Sequence, residues 1–148
     1  MAYITNRNIR QHYEILDTLR AGLSLLGTEV KSIRTGQGSL AGAKIFIRGD
    51  EAFLIGATIP AYQPKNIIIA YEEDRPRRLL LNKNEIRRLY TSSEEKQLTL
   101  VPLTIYNCNR KLKLDIGVAN KKTKRDKREE IKKRDSDRSI RRLMRQSI

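Results

Sequence analysis

The chain has little of what catalysis and covalent cross-linking need: one cysteine, Cys108, and one histidine, His12, in 148 residues. A lone cysteine excludes an internal disulfide, and with a lone histidine it excludes a zinc cluster. The nucleophile elbow, the Walker loop and the HExxH motif are all missing. His12 reads as an exposed or partly packed strand residue, and Cys108 as a thiol in or near a turn. Most carboxylates stand among basic residues, where ion pairing explains them more simply than acid–base chemistry. Apolar runs such as residues 67–70 and 79–81 are far shorter than the roughly 18–20 residues of a membrane span. No secretory hydrophobic region opens the chain, which fits a reducing, cytoplasmic setting. The expectation is a binding protein: not an enzyme, no cofactor, no metal, no membrane.

Positive charge is abundant. Lys and Arg number 31 against 17 Asp and Glu, a net +14. Residues 120–148 hold 13 of the basic residues and 5 of the acidic ones, leaving the preceding body at +6. Both parts therefore favour a polyanionic partner. The tail has few apolar residues (Ile131, Ile140, Leu143, Met144, Ile148), too few to offset an ordering entropy of about 1–2 kcal/mol per residue. It contains no Gly or Pro, and Glu129–Lys133, Glu130–Arg134 and Asp137–Arg141 are acid-to-base pairs at i,i+4. Such a segment is expected to become helical on RNA.

The pattern divides the chain into a basic arm at 1–11, a body at 12–119 and the tail at 120–148. Residues 12–19 read as a first strand. Residues 28–36 read as a short helix with Thr28 as cap, Glu29 in the first turn, Val30 and Ile33 inward, and Gly36 as the stop. Residues 43–47 and 52–59 form a hairpin across 48–51. Residues 62–77, with Pro64 and Pro76, read as a long loop in which 67–70 is a possible strand or partner-facing patch. A strand end at 79–81 enters a helix capped by Asn82, with Glu85 third and Ile86 and Leu89 inward. The clearest hairpin joins 97–106 to 111–119, where Leu112, Leu114, Ile116 and Val118 alternate with Lys111, Lys113 and Asp115. About six strands with short helices predict a mainly β fold, an OB-like closed barrel.

Several of these blocks occur together in one known family. They are Asn6 and Arg7, 13–15 (YEI), 21–23 (AGL), 27–34 (GTEVKSIR), 49–54 (GDEAFL), 77–83 (RRLLLNK) with Glu85 and Ile86, 100–103 (LVPL), 117–119 (GVA) and 126–129 (DKRE). In that order, along nearly the whole chain, they resemble the SsrA-binding protein family, also called small protein B, of bacterial trans-translation. The resemblance implies an OB-like body that grips the tRNA-like domain of transfer-messenger RNA, as a monomer in a one-to-one complex. It also implies a tail that becomes helical in the empty mRNA channel of a stalled ribosome, near the decoding centre. RNA contacts map onto Asn6, Glu29, Leu89 and Lys113, joined by the helix cations Lys31 and Arg34. Each family contact has a plainer reading. Glu29 complements a helix N-terminus, Leu89 sits at core spacing, and Lys113 lies on a polar strand face. The ribosome-binding tail would use Lys121, Lys122, Lys124, Arg125, Asp126, Lys127, Arg128, Lys132, Lys133 and Arg134.

The chain departs from the family at three places. Its histidine falls at His12 in Arg10–Gln11–His12–Tyr13, displaced from the usual position. Residues 67–74 (IIIAYEED) replace the usual Asn-His-Asp-Pro ending of that loop. Lys121 stands for a hinge glycine and Arg125 for an aromatic or imidazole ring; a guanidinium can still stack on a base. Composition alone also fits a ribosomal or general rRNA-binding protein, and, less well, a small RNA-processing enzyme.

Overall fold

A computed structural model describes residues 2–62 and 71–122. Seven strands among them form one antiparallel sheet: β1 (Ala2–Thr5), β2 (Tyr13–Leu23), β3 (Lys44–Arg48), β4 (Glu51–Ile55), β5 (Arg77–Leu80), β6 (Thr99–Cys108) and β7 (Lys111–Lys121), in the order β1-β6-β7-β2-β5-β4-β3. Three helices interrupt them: α1 (Ile9–His12), α2 (Gly27–Arg34) and α3 (Lys83–Tyr90), the last running into a π-helical turn at Thr91–Glu95.

The β6–β7 hairpin is where local chemistry speaks most clearly. Asn109 and Arg110 adopt φ of 51° and 67°, the left-handed pair of a two-residue turn whose twist matches the strands it joins. Leu112, Leu114, Ile116 and Val118 point inward, between 0 and 7% exposed. The α3 reading also holds. The Asn82 side chain accepts from the Glu85 N–H at 2.8 Å, and the Glu85 carboxylate accepts from the Asn82 N–H at 3.0 Å. This reciprocal cap satisfies two donors the helix leaves open, and Ile86 and Leu89 turn into the core.

Four expectations need correction. The sheet is not closed, so the closed barrel is not what forms: β1 and β3 remain edges. β3 curls back against β6 without a ladder between them. Gly56, at φ 82°, ends β4, and beyond it Thr58 pairs with Ser39 only as an isolated bridge. Gly38 sits at this junction at φ 133°, a backbone conformation that residues with a side chain rarely adopt, and a Cβ there would also lie 2.7 Å from the Ile4 Cδ1 of β1. Second, the arm at 1–11 is part of the body, because β1 pairs with β6 and α1 lies at the head of β2. Third, α2 starts earlier than the Thr28 cap implies, with Leu26 preceding Gly27 and Glu29 closing the cap. Fourth, β7 runs on to Lys121, which pairs with Tyr13, and the Lys122 N–H donates to the His12 carbonyl at 2.8 Å. The strand therefore runs past residue 119.

The main core lies on the concave face, with Ile33, Leu54, Ile105, Leu114 and Ile116 fully buried. A second, smaller cluster occupies the opposite face of β6 and β7, where Val101, Leu103 and Ala119 pack with Ile9, Tyr13 and Ile15. It is the side chains of α1 and the head of β2 that cover what simple alternation would leave to solvent. The 67–70 patch and the tail from residue 123 lie outside the described residues.

Candidate nucleic-acid interface

α2 presents two different faces. Lys31 and Arg34 are exposed, while Glu29 and Ser32 are fully buried. The Lys31 ammonium lies 5.8 Å from the Tyr62 ring centroid. Arg34 donates to the Arg110 carbonyl at 3.0 Å, which ties the helix to the tip of the β6–β7 hairpin. Through that turn the cations of α2 join Lys111 and Lys113 at the start of β7. Lys113 is half-buried and lies between Gly22 of β2 and Tyr106 of β6 in the ladders. One row along, the Arg20 guanidinium sits 5.3 Å from the Tyr106 centroid, and Tyr106 donates to Asp115 at 2.9 Å. Burial raises the Tyr106 phenol pKa, with further upward help from the hydrogen bond and charge of Asp115. The result is a strip of cations interleaved with rings, the chemistry that takes phosphates and unstacked bases.

Glu29 does not belong to that strip. It is 0% exposed and collects donors from two chain segments. Arg77, itself 0% exposed, donates from Nε at 2.8 Å, and Tyr71 donates at 3.0 Å. Arg75 adds a bidentate contact, and the Leu26 N–H donates at 2.8 Å. Burial pushes the Glu29 pKa up, but the hydrogen bonds from Arg75, Leu26 and Arg77 outweigh it and hold the carboxyl below its ordinary value. Arg77 spends its remaining donors on the Ala57 and Glu73 carbonyls, both at 2.7 Å, and on Tyr71 at 3.0 Å. A buried pair this fully hydrogen-bonded binds α2 to β5 and to the segment before it.

Asn6 and Leu89 are also under the surface, at 6 and 1% exposed. Asn6 donates from its side chain to the Pro102 carbonyl and from its backbone to the Leu103 carbonyl, both at 2.8 Å. These bonds fasten the N-terminal segment to β6 at the irregularity between Pro102 and Thr104, where a proline without an N–H is tolerated. Asn6 and Arg7 border a cleft of about 390 Å³ between β1 and residues 36–41. Of the six body residues expected to touch RNA, then, Lys31 and Arg34 are exposed and Lys113 half-buried, whereas the side chains of Asn6, Glu29 and Leu89 are buried. Lys121 and Lys122 lie at the end of β7, and the other tail residues, Lys124 to Arg134, lie outside the described residues. Tyr71, Arg75 and Arg77 are not among the expected site residues, although Arg77 opens the RRLLLNK block at 77–83 and stands two residues before the inward Leu79.

A family model for the SmpB protein matches residues 3–146 of the chain. The chain belongs to the SmpB family. SsrA-binding proteins are similar to it along nearly their full lengths. That of Trichodesmium erythraeum is 45% identical over 141 residues, covering 95% of this chain and 90% of the relative. That of Gloeobacter violaceus is 46% identical over 142 residues, covering 96 and 93%. A chain solved in "tmRNA-SmpB: a journey to the center of the bacterial ribosome" is 40% identical, covers 86% of this chain and 93% of its own, and superposes with a TM-score of 0.68.

Proposed function

We propose that this chain binds transfer-messenger RNA and delivers it to stalled ribosomes for trans-translation. The observation that supports this best is the full-length likeness to SsrA-binding proteins, including one seen with that RNA on the ribosome. The body is then the gripping part, an OB-like curled sheet, open at its edges, that meets the tRNA-like domain with Lys31, Arg34, Lys113 and the Arg20–Tyr106 pair. Lysine and arginine ammonium and guanidinium groups set register on the phosphates, and the rings accept unstacked bases. Asn6, Glu29 and Leu89 act through the fold, by holding α2, β1 and α3 where the strip needs them.

The tail is the ribosome-acting part. Residues 120–148 carry a net +8, and rRNA phosphates lining an mRNA channel would remove the self-repulsion that opposes a helix. The i,i+4 pairs then favour helix formation, which brings Ile140, Leu143 and Met144 toward one wall. Lys121, at the family's hinge-glycine position, is the last residue of β7 here. Arg125 takes the place of the family's ring near the decoding nucleotides. The protein works in the cytoplasm as a monomer, one per RNA, without cofactor or metal.

Sequencing the RNA that co-purifies with the protein tests this directly. One structured RNA in substoichiometric amount relative to ribosomes is expected. A one-to-one presence on ribosomal subunits through a high-salt wash would instead make it a ribosomal protein.

A further inference from the structure

The chain has only two phenylalanines, and they stand opposite each other on adjacent strands. Phe46 of β3 pairs with Phe53 of β4, and Phe53 in turn pairs with Arg78 of β5. The row faces outward, because the flanking Ile45, Ala52, Leu54 and Leu79 supply the core. Phe46 is 52% exposed and Phe53 half-buried. Leu80, 55% exposed, stands two residues beyond Arg78 on the same face. A cross-strand aromatic pair supports a hairpin, which accounts for two rings meeting. It does not account for their neighbours. Lys44 and Arg48 flank Phe46 on β3 and share its outward direction, and Arg78 continues the row. Among the described residues, the strands of this face set one outward carboxylate against these three cations, Glu51, which pairs with Arg48 in register and lies 3.7 Å from Arg78, and exposed Asp50 stands in the turn between β3 and β4.

From this geometry we infer a second RNA-contact surface on the outer face of β3–β5, in which Phe46 and Phe53 stack unpaired bases while Lys44, Arg48 and Arg78 hold the adjoining phosphates. The occupant is single-stranded or splayed RNA. Base pairs in a duplex bury their faces against each other, leaving the rings nothing to stack on, whereas any unpaired base offers a π face. A neutral apolar partner would leave the cations without compensation, and a polyanion supplies it. The surface lies on the face of β5 opposite to Arg77, the residue that holds α2, and extends the RNA-binding reading on which it rests.

Selective labelling of phenylalanine gives only two ring spin systems, so NMR reads this site alone in the full-length protein. A single-stranded oligouridylate is titrated in high salt, which suppresses the phosphate attraction of the tail and leaves stacking. Both ring signals are expected to shift upfield, and a fully paired RNA duplex of equal length should leave them unmoved. Phe46→Val keeps a strand-favouring side chain and should weaken oligouridylate binding by about 5- to 150-fold; Phe46→Tyr should retain it. Transfer-messenger RNA binding in physiological salt runs in parallel. If the protein binds that RNA but the phenylalanine signals ignore the bound oligonucleotide, this inference is overturned and the proposed function stands. If the protein binds no RNA, both fall.

Discussion

Replacing Glu29 by alanine should unfold more than it unbinds. The substitution leaves Arg77 as a fully buried cation whose only carboxylate partner among the described residues is gone, and it orphans the Leu26 N–H at the start of α2. Breaking a buried pair from one side costs about 3–5 kcal/mol, a large share of the roughly 5–15 kcal/mol that stabilises a domain. For a body of this size that is a fall of roughly 10–20 °C in Tm. Urea unfolding followed by circular dichroism measures it, and Glu29→Met, Arg77→Met and the two together make a double-mutant cycle. The double variant should lose less than the sum of the singles, because each single change strands the other's charge. It should not return to the parent's stability, since the Ala57 and Glu73 carbonyls lose their guanidinium donor. The pH dependence has a definite sign. Glu29 has a folded pKa below its unfolded value of about 4.3. Its contribution is therefore complete above that value and disappears as pH falls through the folded pKa. The parent should lose stability on that acid limb, and Glu29→Ala should lack this part of the loss. A stability change under about 1 kcal/mol, with RNA binding lost, would refute the argument and return Glu29 to the RNA interface.

Asn6→Ala should cost about 1–2 kcal/mol in urea unfolding by deleting the buried donor to the Pro102 carbonyl. Leu89→Ala should cost about 2–5 kcal/mol in the same assay, because its side chain is in the core; unchanged stability would contradict the placement. Lys31→Ala and Arg34→Ala should each weaken RNA binding with little change in Tm, and each should reduce the slope of log affinity against log salt by about 1. A chain ending at Lys122 should keep specific binding to transfer-messenger RNA but lose peptide tagging of stalled chains, whereas Arg125→His should tag normally. Near-normal tagging without the tail would reduce the tail to an electrostatic anchor.

The β7 alternation and the α3 cap were legible in the sequence because their causes are local, although the equally local cap of α2 was placed at Thr28 instead of Leu26. The alternation from Leu112 to Val118 specifies an inward face because side chains in a strand alternate. The Asn82–Glu85 cap forms between residues three apart and needs no distant partner. Net charge, too, is a property of composition, and it pointed to a polyanion before any fold was known. Which charges face that polyanion is another matter. Glu29 and Lys31 are two residues apart on one helix, yet one is sealed against Arg77 and the other is exposed. That difference arises 48 residues downstream, where β5 brings a guanidinium under α2. The same holds for Asn6, which finds its acceptor 96 residues away on β6, and for the sheet's open edges, which depend on how far curling carries β3 toward β6. Periodicity reports the direction in which a side chain points from its own element; only the packing of elements decides whether water, a countercharge or RNA waits there.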